Sequence, residues 1–190
     1  MTVPAQRRTA VGAQDYREAM SLLAVPVCVV TTRQDGENWG FTASTVTGIS
    51  LDPPLVSVSV ARSSSCHSAL TLAPEFVINV LGDHQRHLAT RFSTRDIDRF
   101  ADEGISTLPG TELPVVTDAS AVYRCTRQDV VPVGDHDLFI GELTDVRLRT
   151  EAALPLTWYR RAFHRPDPYA GPRPRAAAAV QPSPQQRWTQ

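Results

Sequence analysis

An antiparallel β-barrel carrying a few short helices is the mainly β fold class that this sequence predicts, and three observations predict it. Many short apolar or alternating stretches lie between turn signals. Helical spacing recurs in only three places, and neither a GxGxxG nor a P-loop pattern suggests a βαβ nucleotide fold. The 190 residues are enough for one domain with a substantial core.

The elements follow in order. Residues 1–13 read as a flexible N-terminus, and Gln14 to Ala24 sets Tyr16, Ala19, Met20 and Leu23 at helical spacing, with Pro26 to stop the helix. Val27 to Thr32 is β-branched and apolar, as a buried strand is. Asp35-Gly36 is a hairpin turn signal, and a second strand should cover Trp39 to Thr47. After Asp52-Pro53-Pro54, Val56, Val58 and Val60 alternate with Ser57, Ser59 and Ala61. That period of two puts one face in a core and leaves the other small enough for something flat to approach, or for another strand to pack.

Ser63-Ser64-Ser65 then opens a short helix with serine at its N-cap, ended by Pro74. Glu75 to Leu81 is a strand, His84 to Phe92 a helix, and the following STRDIDRF a loop with a further turn. Two long strands, Ser120 to Val131 and Leu138 to Leu148, flank a turn at Pro132-Val133-Gly134-Asp135, and Leu156 to Tyr159 forms a last short strand. The ordered domain is therefore 14–165. From Pro166 to Gln190 six of 25 residues are proline, a Pro/Ala-rich tail expected to be disordered.

Composition narrows the function classes. A net charge of -1, with acidic and basic residues interleaved, favours neither nucleic acid nor an anionic membrane. No apolar run approaches the roughly eighteen residues of a membrane span. The two N-terminal arginines precede no apolar signal core, so the cytoplasm is the expected location. Cys28, Cys66 and Cys125 form no CxxC pair and read as buried, inert thiols. His84 and His87 share a helical spacing but lack a third ligand, so no metal site is expected.

Four segments carry candidate chemistry. In GFTASTVTGISLDPP, the hydroxyls of Thr42, Ser44, Thr45 and Thr47 crowd small Ala43, which suits the polar edge of a flat heterocycle or simply a Thr/Ser-rich strand. In ARSSSCHSAL, serines opening a helix beside Arg62 offer an anion site, or plain capping. ATRFSTRDIDRF holds two Arg-Phe pairs, able to fork onto a phosphate and pack on a ring, or to serve as a solvated arginine and a core phenylalanine. In GDHDLFIGEL, His136 sits where a hairpin turn feeds a strand, so its imidazole could project into a cleft.

Taken together and in this order, the segments resemble the flavin reductase family with the FMN-binding split-barrel fold, the reductase components of two-component flavin-dependent monooxygenases. The resemblance runs from about Tyr16 to Phe163, on GFTAST, SLDPPLVSVSVARSSSCHSAL, FVINVL, the paired RF and DRF, GDHDLFIGEL and PLTWYRRAF. It implies an antiparallel, Greek-key split barrel that works as a homodimer, with FMN (or FAD) bound near the subunit interface; no arginine is placed to meet a 2′-phosphate, which favours NADH as hydride donor. Thr42, Ala43, Ser44 and Thr45 would line the isoalloxazine, with Ser59 and Ala61 continuing that wall. Ser63, Ser64 and Ser65 would meet the flavin phosphate, helped by Arg91, with Phe92 and Ser93 nearby. His136 would lie near the nicotinamide.

The chain departs from the family where a glycine is usual, at Ala24-Val25-Pro26-Val27 and at Arg160-Arg161-Ala162-Phe163. The activity implied is NAD(P)H:flavin oxidoreduction, supplying reduced flavin to a partner monooxygenase. The alternatives are a flavin carrier on the same fold, or a deazaflavin-dependent or other split-barrel oxidoreductase.

Overall fold

The computed structural model describes residues 11–101, 103–149 and 153–166, so most of the N-terminal segment and all of the proline-rich tail but Pro166 lie outside the described residues. In chain order the elements are α1 (Ala13–Ser21), β1 (Val25–Pro26), β2 (Cys28–Gln34), β3 (Glu37–Ala43), β4 (Thr47–Leu51), β5 (Pro54–Ala61) and α2 (His67–Leu72). After them come β6 (Glu75–Val80), a single 3-10 turn at Asp83–Gln85, α3 (Arg86–Ser93), β7 (Ile105–Thr107) and β8 (Pro114–Val116). The chain closes with β9 (Ala121–Val133), β10 (His136–Leu148), β11 (Thr157–Tyr159) and β12 (Ala162–His164).

Seven strands form one antiparallel sheet in the order β3-β2-β6-β9-β10-β5-β4. The mainly β, antiparallel expectation therefore holds, with β3 and β4 at the two ends of the ladder. The β2–β3 hairpin turns on Asp35 (φ 53°) and Gly36 (φ 79°), the left-handed pair that matches strand twist. The β9–β10 hairpin is longer than expected: both strands run on to pair Val133 with His136, so the turn is only Gly134-Asp135. The expected strand from Trp39 to Thr47 breaks in two, because residues 44–46 leave the ladder before β4 begins. The C-terminal strand acquires a hairpin partner, β12, and β1 adds to it at Trp158 and Thr157.

The sheet has core on both sides where β2 runs. Cys28 and Val30 face a cluster with Val58, Val60, Phe76, Ile78 and Phe139. Val27 and Val29 face a second cluster with Leu81, Leu88, Phe92 and Leu156. A strand buried on both faces reads as a continuous apolar run, which explains why VCVV shows no alternation while β5 does. Full burial of each large side chain here contributes roughly 1.5–3 kcal/mol. One buried polar group ties the layers: Asn79 donates to the Val29 carbonyl (2.9 Å) and accepts from the Val116 amide (2.9 Å), which fixes β8 against the sheet.

Candidate active site

A cavity of about 690 Å³ opens between the end of β3, the end of β5, the turn before α2, the loop after α3 and the start of β10. The small residues of β5 are on its wall. Val58 and Val60 carry the core, and Ser59 and Ala61 reach the cavity with Ala43 and Ser44 of the opposite edge. The small side chains of Ala43, Ser44, Ser59 and Ala61 leave a slot between the two strand ends.

Two of the hydroxyls expected to face a ligand are committed to the scaffold. Thr42 donates to the Ala89 carbonyl (2.6 Å), pinning β3 to α3. Thr45 bridges to β5, donating to the Ser59 carbonyl (3.1 Å) and accepting from its amide (3.2 Å). Ser44 makes no such bond, and the Ser44 and Thr45 amides lie beyond the last β2–β3 pair with no protein acceptor among the described residues. Thr47 lies in β4, outside the cavity.

Ser63, Ser64 and Ser65 all line the cavity, but none is a helix N-cap. Cys66, in right-handed helical conformation, takes that position, and α2 has only six residues. A helix dipole therefore adds little; what the turn offers is hydroxyls and the Ser63 and Ser65 amides, which take no protein acceptor among the described residues. Arg62, expected to add a cation, is turned instead onto Asp137.

Phe92 and Ser93 line the cavity as expected, whereas Arg91 does not. Its Nη2 donates to the Glu103 carbonyl (3.2 Å). The second Arg-Phe pair takes its place. Arg99 donates from Nη1 to the Gly40 carbonyl (2.8 Å) and from Nε and Nη2 to the Thr94 carbonyl (3.0 and 2.9 Å), and Nη1 also lies 3.4 Å from Cys66 Sγ. One guanidinium closes the 94–100 loop on itself and fastens it to β3. Phe100 stacks edge-on against Phe92 at 5.2 Å, over Gly40, where a Cβ would come within 2.8 Å of the Phe92 ring.

Sequence reasoning did not assign Arg95, Asp96, Ile97, Asp98 and Arg99, the wall formed by the loop, although the segment had been singled out for its Arg-Phe pairs.

His136 enters from the start of β10, beside Ala61 in the β5 register. Its Nδ1 lies 2.6 Å from Asp135 Oδ1, leaving Nε2 as the ring nitrogen open to a ligand. The same contact holds the Asp135 carboxyl below the usual carboxylate range. Asp137 is likewise lowered, first by its hydrogen bond from Arg62. The three cysteines are buried and free, and burial pushes Cys28 and Cys125 up to about 12. No group of three or more His, Cys, Asp or Glu able to hold a metal occurs among the described residues.

Comparison with known proteins gives this geometry its context. A profile of the flavin reductase like domain matches residues 20–167. An NADH:riboflavin 5'-phosphate oxidoreductase from Streptomyces pristinaespiralis is 48% identical over 162 residues, covering 85% of this chain and 92% of the relative. An NADH:FMN oxidoreductase from Rhodococcus qingshengii is 39% identical, covering 84% and 85%. Among solved structures, the NADH:FAD oxidoreductase of Streptomyces globisporus, in complex with NAD and FAD fragments, superposes with a TM-score of 0.79 at 28% identity, covering 86% of this chain and 99% of that one. The chain belongs to the flavin reductase like domain family.

Proposed function

We propose that the protein is an NADH-dependent flavin reductase that reduces FMN, or FAD, and supplies the reduced flavin to a partner monooxygenase. The observation that carries this reading is the convergence of three separate segments, the small-residue wall, the serine turn and His136, on one cavity. The relatives named above support it, as do relatives that are reductase components of a trigonelline monooxygenase and a nitrophenol monooxygenase.

The residues fit a flavin. The cavity lies within the 300–1,000 Å³ range typical of small-molecule sites. The slot between Ala43, Ser44, Ser59 and Ala61 admits a flat ring, and the uncommitted Ser44 and Thr45 amides suit its carbonyl and nitrogen edge. Ser63, Ser64 and Ser65 provide hydroxyl and amide donors for a phosphate, and Arg95 a nearby positive charge. Bound there, flavin supplies the hydride-accepting ring and NADH the hydride.

This chain's own residues bind, orient and exclude water, which suits a transfer that needs no protein nucleophile. His136 positions the nicotinamide from the cavity rim. Phe92 and Phe100 back the site, and the loop fastened by Arg99 shields it.

The split-barrel form of the sheet and a homodimer belong to the same reading. The dimer is supported by α1, which buries none of its residues and exposes Tyr16 and Met20, followed by exposed Leu22 and Leu23. The edge strand β4 is exposed along its whole length, Ile49 and Leu51 included. Such apolar surface on a lone chain fits a second subunit. No described helix is long and apolar enough to cross a membrane. A cytoplasmic setting belongs to the same reading, supported by the use of NADH.

The test is NADH oxidation by purified protein alone, with FMN, and with FAD. Oxidation that depends on added flavin and saturates with it is expected. None with any flavin would overturn the assignment.

A further inference from the structure

The three serines of the cavity turn stand between two side chains that land on one carboxylate. Arg62, just before them, donates to Asp137 Oδ1 from Nε (2.8 Å) and Nη2 (2.7 Å). His67, just after Cys66, sets its Nε2 2.8 Å from Asp137 Oδ2. Each oxygen of Asp137 therefore takes one end of the turn. Successive residues of a strand face opposite ways, so β10 presents His136 to the cavity and Asp137 to the back of the turn.

Asp137 is 9% exposed, and the His67 ring lies edge-on to the buried Phe139 at 5.8 Å. The His67 arm is thus shielded, while Arg62 is 47% exposed at its side chain and acts through its two-pronged grip on Oδ1; a charge-assisted contact is better directed than a neutral one. Apart from the Asp137 contacts, the turn has its own bonds, Ser64 amide to Ala61 carbonyl (2.9 Å), His67 amide to Ser64 carbonyl (3.1 Å) and Cys66 amide to Ser64 Oγ (3.3 Å). It also has two outside ties, Arg62 amide to Asp135 carbonyl (3.1 Å) and Cys66 Sγ to Gly40 carbonyl (3.2 Å). None of these holds a side chain at both ends of the turn to one group.

We propose that Asp137 is a positioning residue: through Arg62 and His67 it clasps both ends of the serine turn and holds Ser63–Ser65 in the shape that receives the flavin phosphate. The inference rests on the reading of this turn as a phosphate site. A turn already shaped loses less freedom when the anion arrives, so the clasp acts on affinity for the phosphate-bearing ligand. It also accounts for Arg62, whose charge is matched by Asp137 and is not available to the phosphate.

The experiment compares FMN with riboflavin, which carries the same ring without the phosphate, as acceptors for NADH oxidation. Wild-type protein should have the lower KM for FMN. Asp137→Asn keeps the side-chain shape and loses the charge. It should raise KM for FMN by about tenfold, the size of one charge-assisted hydrogen bond, with KM for riboflavin and kcat close to wild type. His67→Gln removes one arm only and should raise KM for FMN less, in the same direction; it carries the test if Asp137→Asn fails to fold. An unchanged FMN-to-riboflavin ratio in a folded variant overturns the clasp while leaving the phosphate reading intact. A wild-type enzyme that does not distinguish FMN from riboflavin overturns the phosphate reading and the clasp with it.

Discussion

His136 and Asp135, adjacent in the chain, form a side-chain pair at the cavity rim, with 2.6 Å between Nδ1 and Oδ1. Adjacent residues meet this way because the two-residue turn at Gly134-Asp135 reverses the chain just before β10. The pairing fixes which ring nitrogen a nicotinamide would meet. His136→Ala should therefore lower kcat/KM for NADH by about tenfold, as loss of a positioning contact does. Asp135→Asn should do the same to a smaller extent, because Asp135 is 94% exposed at its side chain. Steady-state kinetics with NADH varied at saturating flavin reads both, and an unchanged kcat and KM in His136→Ala would show that the histidine plays no part.

Gly141 sits where the β9–β10 ladder shifts register, and a Cβ there would lie 2.5 Å from Phe76 Cζ and 2.9 Å from Cys125 Cβ. Both neighbours are buried in the same core cluster and have little room to retreat. Gly141→Ala should destabilise the fold by about 1–3 kcal/mol, the usual cost of overpacking, read as a lower Tm. Gly36→Ala meets nothing within 4 Å and is disfavoured only by its φ of 79°, so it should cost less.

Cys28 and Cys125 remain protonated thiols up to about pH 12 in the folded chain because burial disfavours the thiolate. A thiol reagent at mildly alkaline pH should leave both unmodified until denaturant unfolds the protein. The sign of the linkage follows. The unfolded thiols ionise near the ordinary value of about 8.5, so stability from this source is complete below that pH and declines as pH rises toward 12. Denaturation midpoints measured across alkaline pH check this, with Cys28→Ala and Cys125→Ala each expected to flatten the decline.

Asp137 has the opposite sign. Its carboxyl is lowered by Arg62 first and by His67 as well, so its contribution is present above the ordinary carboxylate value of about 3.9 and fades as pH falls below it. Asp137→Asn should flatten the acid limb of the stability curve below about pH 4. Melting temperatures of the two proteins at matched acidic pH would show it, and parallel acid limbs would contradict it.

Much of the fold could be read from the residues because local chemistry decides it. Val56, Val58 and Val60 alternate since one face of β5 meets core, and Asp35-Gly36 turns the hairpin since both positions need left-handed backbone. β7 and β8 escaped because three residues carry no period, and their place depends on Asn79 reaching across to the Val116 amide. The serine N-cap was misplaced because Cys66 turns helical without a capping side chain. Arg91 and Arg99 sit in nearly the same local pattern, yet Arg91 turns to the Glu103 carbonyl while Arg99 reaches the distant Gly40 carbonyl. No spacing rule could supply a partner 59 residues away.

The cavity has two unlike sides. One is sheet and clasp, where His136, Ala61, Ser59 and the serine turn are tied to β5 and β10 by backbone pairing. The other is the 94–100 loop, fastened by side chains, chiefly the Arg99 guanidinium on the Gly40 carbonyl and Phe100 against Phe92. Substitutions on the sheet side would disturb ring, phosphate and nicotinamide contacts at once. On the loop, Asp98 Oδ1 accepts the Phe100 amide (2.9 Å) and Asp96 holds a left-handed backbone (φ 58°), which leaves Arg95 and Ile97 as the lining residues that do not shape the loop. Divergence in which flavin is preferred, and in how quickly it is let go, should therefore collect at Arg95 and Ile97, which makes them the natural place to retune the enzyme for a different oxygenase.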